Sequence, residues 1–147
     1  PEVYWQRLAR LLTEKGVNVY IPWGNDLEQD RANRIKGNNP RIQVLSSMSL
    51  FELATFLSGA KAVVAVDTGL AHLSAALAVP TFSIYGPTDP QLTGTLGQNQ
   101  HHLTAKFICA PCLQKKCTYE GESQVKPACF SAITPEIICS QLMAEMI

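Results

Sequence analysis

The chain has 147 residues, 46% of them hydrophobic and 16% charged, which is enough apolar side chain for one domain of ordinary size with a real core. Twelve basic and twelve acidic residues cancel, and that balance argues against a general nucleic-acid binder, which would carry a basic excess. No apolar run is long enough to cross a bilayer, and the opening residues do not read as a signal peptide.

PEVYWQRLARLLTEKG (1–16) reads as a helix from its first residue. Pro1 suits a first turn, where no amide donor is needed, and Tyr4, Leu8, Leu11 and Leu12 recur at helical spacing up to the stop at Gly16. Such an opening predicts the C-terminal portion of a longer protein. VNVYI (17–21) is a strand, PWGN (22–25) a loop, and Asp26 to Lys36 a polar helix that ends at Gly37 and NNP. RIQVL (41–45) is a second strand. Ser49 with Glu52 three residues later makes a capping box for the helix SLFELATFLSGA. AVVAV (62–66) is a third strand, a helix runs from Leu70 to before Pro80, and TFSIY (81–85) is a fourth strand. The rhythm then breaks into GPTDP (86–90) and a loop region. His101 and His102 are adjacent, so in a strand they face opposite sides and read as surface and strand residues. A cysteine-rich loop (109–129) follows, and a C-terminal helix (134–146) closes the chain, with Thr134 as cap and Pro135 at its first position.

Strands alternating with helices predict an α/β, Rossmann-like fold: a parallel sheet with helices on both faces. The strands are continuous apolar runs, as expected when both faces are covered. Ligands of such sheets bind beyond the carboxyl ends of the strands. Asp67, Thr68 and Gly69 lie at one of those ends, where a helix begins. Its free amides and dipole favour an anion such as phosphate. Gly69 lets a ligand approach the backbone, Thr68 adds a hydroxyl, Asp67 can accept from sugar hydroxyls, and His72 lies one turn in. The competing reading makes Asp67 a helix cap and His72 a satisfied, partly buried histidine. Thr88 and Asp89, after the fourth strand, can reach the same ligand or form a local turn. Neither a P-loop nor the spaced-glycine dinucleotide fingerprint occurs.

PWG (22–24), MSL (48–50), GAKAVVAVDTGLAHLSAAL (59–77) and YGPTDP (85–90) together resemble glycosyltransferase family 9, the ADP-heptose:lipopolysaccharide heptosyltransferases, and the type I enzyme in particular. The resemblance runs from about Pro1 to Gln100. It implies the C-terminal half of a GT-B fold, with residues 1–147 as the nucleotide-sugar donor domain, truncated at its N-terminus. It implies that Asp67, Thr68 and Gly69 hold pyrophosphate and sugar, with His72 near the phosphates. It places Met48 beside the adenine and Glu28 on the ribose hydroxyls. The reaction implied is inverting transfer of heptose from ADP-heptose to a Kdo sugar of lipid A, in lipopolysaccharide inner-core synthesis. No catalytic residue is assigned within these residues: the base and the acceptor site belong to a preceding domain. The full enzyme is expected in the cytoplasm of a Gram-negative bacterium, peripheral on the inner membrane. It needs no cofactor for catalysis, and this chain alone is expected to bind donor weakly without turnover. Two rivals are a family member using another nucleotide sugar and a non-catalytic nucleotide- or metal-binding module.

Cys109, Cys112, Cys117 and Cys129 form C-x2-C-x4-C-x11-C, with Cys139 in the last helix. The first pair has metal-ligand spacing. Four thiolates can hold a structural zinc or, less readily, an iron–sulfur cluster; the competing reading is a set of reduced, partly buried thiols.

Overall fold

A computed structural model describes residues 1–146; Ile147, the last residue of the expected domain, lies outside the described residues. The elements are α1 (Glu2–Glu14), β1 (Val19–Ile21), α2 (Asp26–Lys36), β2 (Ile42–Val44), α3 (Leu50–Ser58), β3 (Val63–Val66), α4 (Gly69–Ala76), β4 (Thr81–Tyr85), α5 (Pro90–Thr93), β5 (Gln100–Thr104), a 3-10 helix (Ala128–Ala132) and α6 (Pro135–Glu145). All strand pairs are parallel, and helices follow strands throughout the first half, as the apolar pattern dictates.

The one expected sheet is two hydrogen-bonded ladders, β1–β2 and β3–β4–β5. Side-chain packing joins them: Val19 of β1 and Val64 of β3 rest against the same core cluster. That cluster contains Leu8 and Leu12 of α1, Phe82 and Ile84 of β4, Leu103 of β5, and Ile138 and Leu142 of α6. Phe82 and Ile84 are two residues apart, so they share one face of β4. α4 contacts β3 and β4 but adds nothing to this cluster, so it covers the opposite face. There its small buried residues Ala71, Ser74 and Ala75 allow close approach to Thr81 and Ser83, which are fully buried.

Local chemistry sets the element ends. The capping box of α3 is complete: the Glu52 amide donates to Ser49 Oγ at 3.3 Å, while the Ser49 amide and hydroxyl each donate to Glu52 Oε2 at 2.7 Å. The Ser49 hydroxyl, then its amide, hold the Glu52 carboxyl below its ordinary range. Because its folded value is the lower one, this support is present above the unfolded carboxylate range and fades as pH falls through the folded value. Ser49→Ala is expected to destabilise the protein by about 1 kcal/mol, read as a lower denaturant midpoint at unchanged slope; an unchanged midpoint would make the cap irrelevant. α6 starts as expected, with Thr134 Oγ1 accepting from the Ile137 amide and Pro135 in the first turn. α1 starts one residue later than expected, with Pro1 as its N-cap.

The two histidines of β5 do face opposite sides. His101 stacks on Phe82 (centroids 4.3 Å apart, planes 8° apart), whereas His102 meets the Tyr85 ring edge-on and pairs with Thr95 Oγ1 at 3.0 Å. His101 is therefore a strand residue packed on one face against Phe82 while its side chain stays 32% exposed.

Candidate functional site

Because β3, β4 and β5 are parallel and in register, Val66 opposite Ile84 and Tyr85 opposite Thr104, the loops after β3 and β4 leave the same edge of the sheet. The first is Asp67–Thr68 and the second Gly86–Asp89. They meet through one hydrogen bond: Thr93 Oγ1 of α5 donates to Asp67 Oδ2 at 2.7 Å. The other carboxylate oxygen, Oδ1, lies 4.0 Å from His72 Nε2. The Asp67 side chain is largely covered, at 17% exposure, and that of His72 is 48% exposed. An oriented acceptor is thus set beside a half-exposed imidazole at the surface.

Asp67 does not cap the helix. The N-cap of α4 is Thr68, and among the described residues no side chain caps that helix. Thr68 turns its hydroxyl back to donate to the Val66 carbonyl at 3.2 Å. The capping reading of this joint therefore fails, and amide donors with the positive end of the helix dipole face outward. Gly69 is exposed at that point. Neither its backbone conformation nor its packing demands a glycine: its φ is not positive, and an added Cβ would meet nothing within 4 Å. Gly69→Ala is expected to fold normally, gaining up to about 1 kcal/mol in helix propensity, while weakening the binding of an anion seated on the helix end. Equal anion affinity in both proteins would remove the site.

The loop after β4 divides its two expected residues. Asp89 is the N-cap of α5, its Oδ1 accepting from the Gln91 amide at 2.9 Å, so its carboxylate serves the turn. Thr88 stays half-exposed beside it. Thr93, which orients Asp67, carries no signal in the sequence that would have found it: a threonine in a four-residue helix becomes visible only when the two loops are brought together.

Glu28 lies in the first turn of α2, just beyond the loop after β1, and Met48 in the loop after β2. Trp23 Nε1–H donates to the Leu45 carbonyl at 2.6 Å and ties those two loops together. Glu28 Oε2 accepts from the Gly24 amide at 2.8 Å, so the exposed carboxylate is held at one oxygen over the PWG turn. Met48 is half-buried immediately before the Ser49 cap. Neither residue hydrogen-bonds to the Asp67 group.

Cys109, Cys112, Cys117 and Cys129 all line one cavity of about 390 Å³, and all five cysteines are free. Of the two readings of these residues, a metal centre and a set of reduced thiols, the first needs the side chains to converge on one point. Among the described residues, however, no three His, Cys, Asp or Glu side chains are grouped so that one ion could touch them all.

The glycosyltransferase family 9 (heptosyltransferase) profile matches residues 1–122. Over its whole length the chain is 44% identical to lipopolysaccharide heptosyltransferase 1 of Pseudomonas aeruginosa, covering 44% of that protein. It is 48% identical over 100 residues to lipopolysaccharide heptosyltransferase 1 of Escherichia coli K12, which is 68% of this chain and 31% of that one. Among solved structures it is similar to "E. coli heptosyltransferase WaaC with ADP", with a TM-score of 0.79 at 36% identity, covering all of this chain and 39% of that one. "E. coli heptosyltransferase WaaC with ADP-2-deoxy-2-fluoro heptose" matches with a TM-score of 0.75 at 35% identity, covering 100% of this chain and 38% of that one. The chain thus spans less than half the length of these relatives.

Proposed function

The chain belongs to glycosyltransferase family 9, the heptosyltransferases, and from that premise we propose that it is the donor-binding part of an inverting enzyme that moves heptose from ADP-heptose to a Kdo sugar of lipid A. The similar E. coli structures are described with ADP and with ADP-2-deoxy-2-fluoro heptose, which supports a nucleotide-sugar donor here. The observation that carries the reading is the uncapped N-terminus of α4 beside the Asp67–Thr93 pair.

The chemistry divides in two. Transfer needs a base to activate the acceptor hydroxyl and stabilisation of charge on the departing diphosphate. The second task suits these residues: α4 presents amide donors and a positive dipole end, and His72 supplies a donor one turn away, while the Thr68 hydroxyl would have to leave the Val66 carbonyl to join them. None of these roles needs a metal. Asp67 accepts from hydroxyls of the sugar, Glu28 from those of the ribose, and Met48 offers a polarizable surface for the purine. The base and the acceptor site are assigned to the part of the enzyme that these residues do not include. The proposed setting is the cytoplasmic face of the inner membrane. No helix among the described residues is long and apolar enough to cross a membrane.

Calorimetry with ADP-heptose, UDP-sugars and GDP-sugars tests the donor, repeated on Glu28→Ala. Preference for ADP-heptose, weakened in the variant by about tenfold, equivalent to one charged hydrogen bond, is the expected result. Equal affinity for the three nucleotides would favour the other-donor rival.

A further inference from the structure

Thr95, two residues beyond α5, is buried, and the sheet holds all three of its hydrogen-bonding groups. Its amide donates to the Tyr85 hydroxyl at 3.3 Å. His102 Nε2 lies 3.0 Å from its hydroxyl oxygen and 3.1 Å from its carbonyl oxygen. A carbonyl only accepts, so this grip selects the imidazole tautomer with its proton on Nε2. Tyr85 is fully buried at the end of β4 and carries the His102 ring edge-on. The chain just before Thr95 is held close as well: a Cβ added at Gly94 would lie 2.8 Å from His102 Cε1.

The grip bears on Asp67 through Thr93. α5 has four residues, a single turn too short to keep its own shape. It is pinned at its start by the Asp89 cap and beyond its end by Thr95. Thr93, its last residue, has one hydroxyl proton and two acceptors in reach: Asp67 Oδ2 at 2.7 Å and the Asp89 carbonyl of its own turn at 3.3 Å. Bonding back to the carbonyl four residues earlier is a common habit of helical threonines. The position of the turn decides which acceptor wins, because hydrogen bonds weaken steeply with distance and angle.

We propose that His102 is a positioning residue for the donor sugar. By holding Thr95 it sets α5 where Thr93 bonds Asp67 rather than Asp89, and so aims the Asp67 carboxylate at the sugar hydroxyls. The role rests on the assignment of Asp67 to the sugar. It makes β5, which has no loop at the site, a determinant of how the site distinguishes the nucleotide sugar from the bare nucleotide.

The test is calorimetry with ADP-heptose and with ADP on the wild type, His102→Ala, His102→Gln, Asp67→Ala and the double variant His102→Ala/Asp67→Ala. His102→Ala is expected to weaken ADP-heptose by about fivefold, the worth of one ordinary hydrogen bond, with ADP affinity unchanged. His102→Gln, whose amide nitrogen reaches the place of Nε2, should restore the difference between the two ligands. Tyr85→Phe removes only the other hold on Thr95 and should reduce that difference in the same direction. In the Asp67→Ala background, His102→Ala should have no further effect on ADP-heptose. Equal weakening of both ligands by His102→Ala, or its full effect on top of Asp67→Ala, overturns the positioning role while leaving Asp67 on the sugar. Equal weakening of both ligands by Asp67→Ala overturns the sugar assignment itself, and this role with it.

Discussion

Asp67→Ala is expected to weaken ADP-heptose binding by about ten- to a hundredfold while leaving ADP binding unchanged or slightly tighter. The size follows from one hydrogen bond to a charged group, about 1.5–3 kcal/mol. The difference between the two ligands follows from charge. A carboxylate beside a diphosphate repels it, so its loss helps ADP, whereas the heptose hydroxyls from which Asp67 is proposed to accept are absent from ADP, whose ribose hydroxyls are assigned to Glu28. Asp67 is already oriented by Thr93 and screened from solvent on most of its surface, so little ordering is needed when the sugar arrives. Calorimetry with both ligands on the wild type and the variant measures the split. Equal weakening of ADP and ADP-heptose would mean that Asp67 supports the loop rather than contacts the sugar. Thr93→Val should reproduce part of the same selective loss.

The second large effect lies in the core. Phe82→Ala is expected to cost about 3–5 kcal/mol, as for other buried aromatic truncations. Phe82 is 1% exposed, stacks on His101 and belongs to the cluster that joins α1, α6 and the sheet. A domain's whole stability is about 5–15 kcal/mol, so the variant would stand near its unfolding limit at room temperature. Urea unfolding decides it; a loss under about 1 kcal/mol would mean that the cluster repacks around the missing ring.

The elements were legible where one local pattern decided them. Asp26–Lys36 and Thr81–Tyr85 have the boundaries that their polarity and apolar runs indicate, and the Ser49–Glu52 box is as its spacing requires. What escaped was non-local. The break between β1 and β3 depends on how short strands meet across the core. The pairing of β5 with β4 depends on a chain return that no periodicity announces. At the site, DTG marks the strand-to-helix joint, but capping by Asp67 and ligand binding by Asp67 look alike in sequence. The structure removes the capping reading alone: the N-cap is Thr68, and its hydroxyl turns back to Val66 and leaves the helix end bare. At Asp89 the capping reading does hold, because its carboxylate accepts a local amide.

β4 is hydrogen-bonded on both of its edges, and every one of its residues is buried. A strand so placed opens only when the whole sheet does. In heavy water the amides of Phe82 to Tyr85 should therefore exchange last in the chain, at a rate set by global unfolding. Thr68 and Gly69, exposed at the uncapped helix end on the same edge of the sheet, should exchange among the first. A diphosphate seated there should slow them without altering β4, so the isotope pattern would report occupancy and folding as separate signals from one sample.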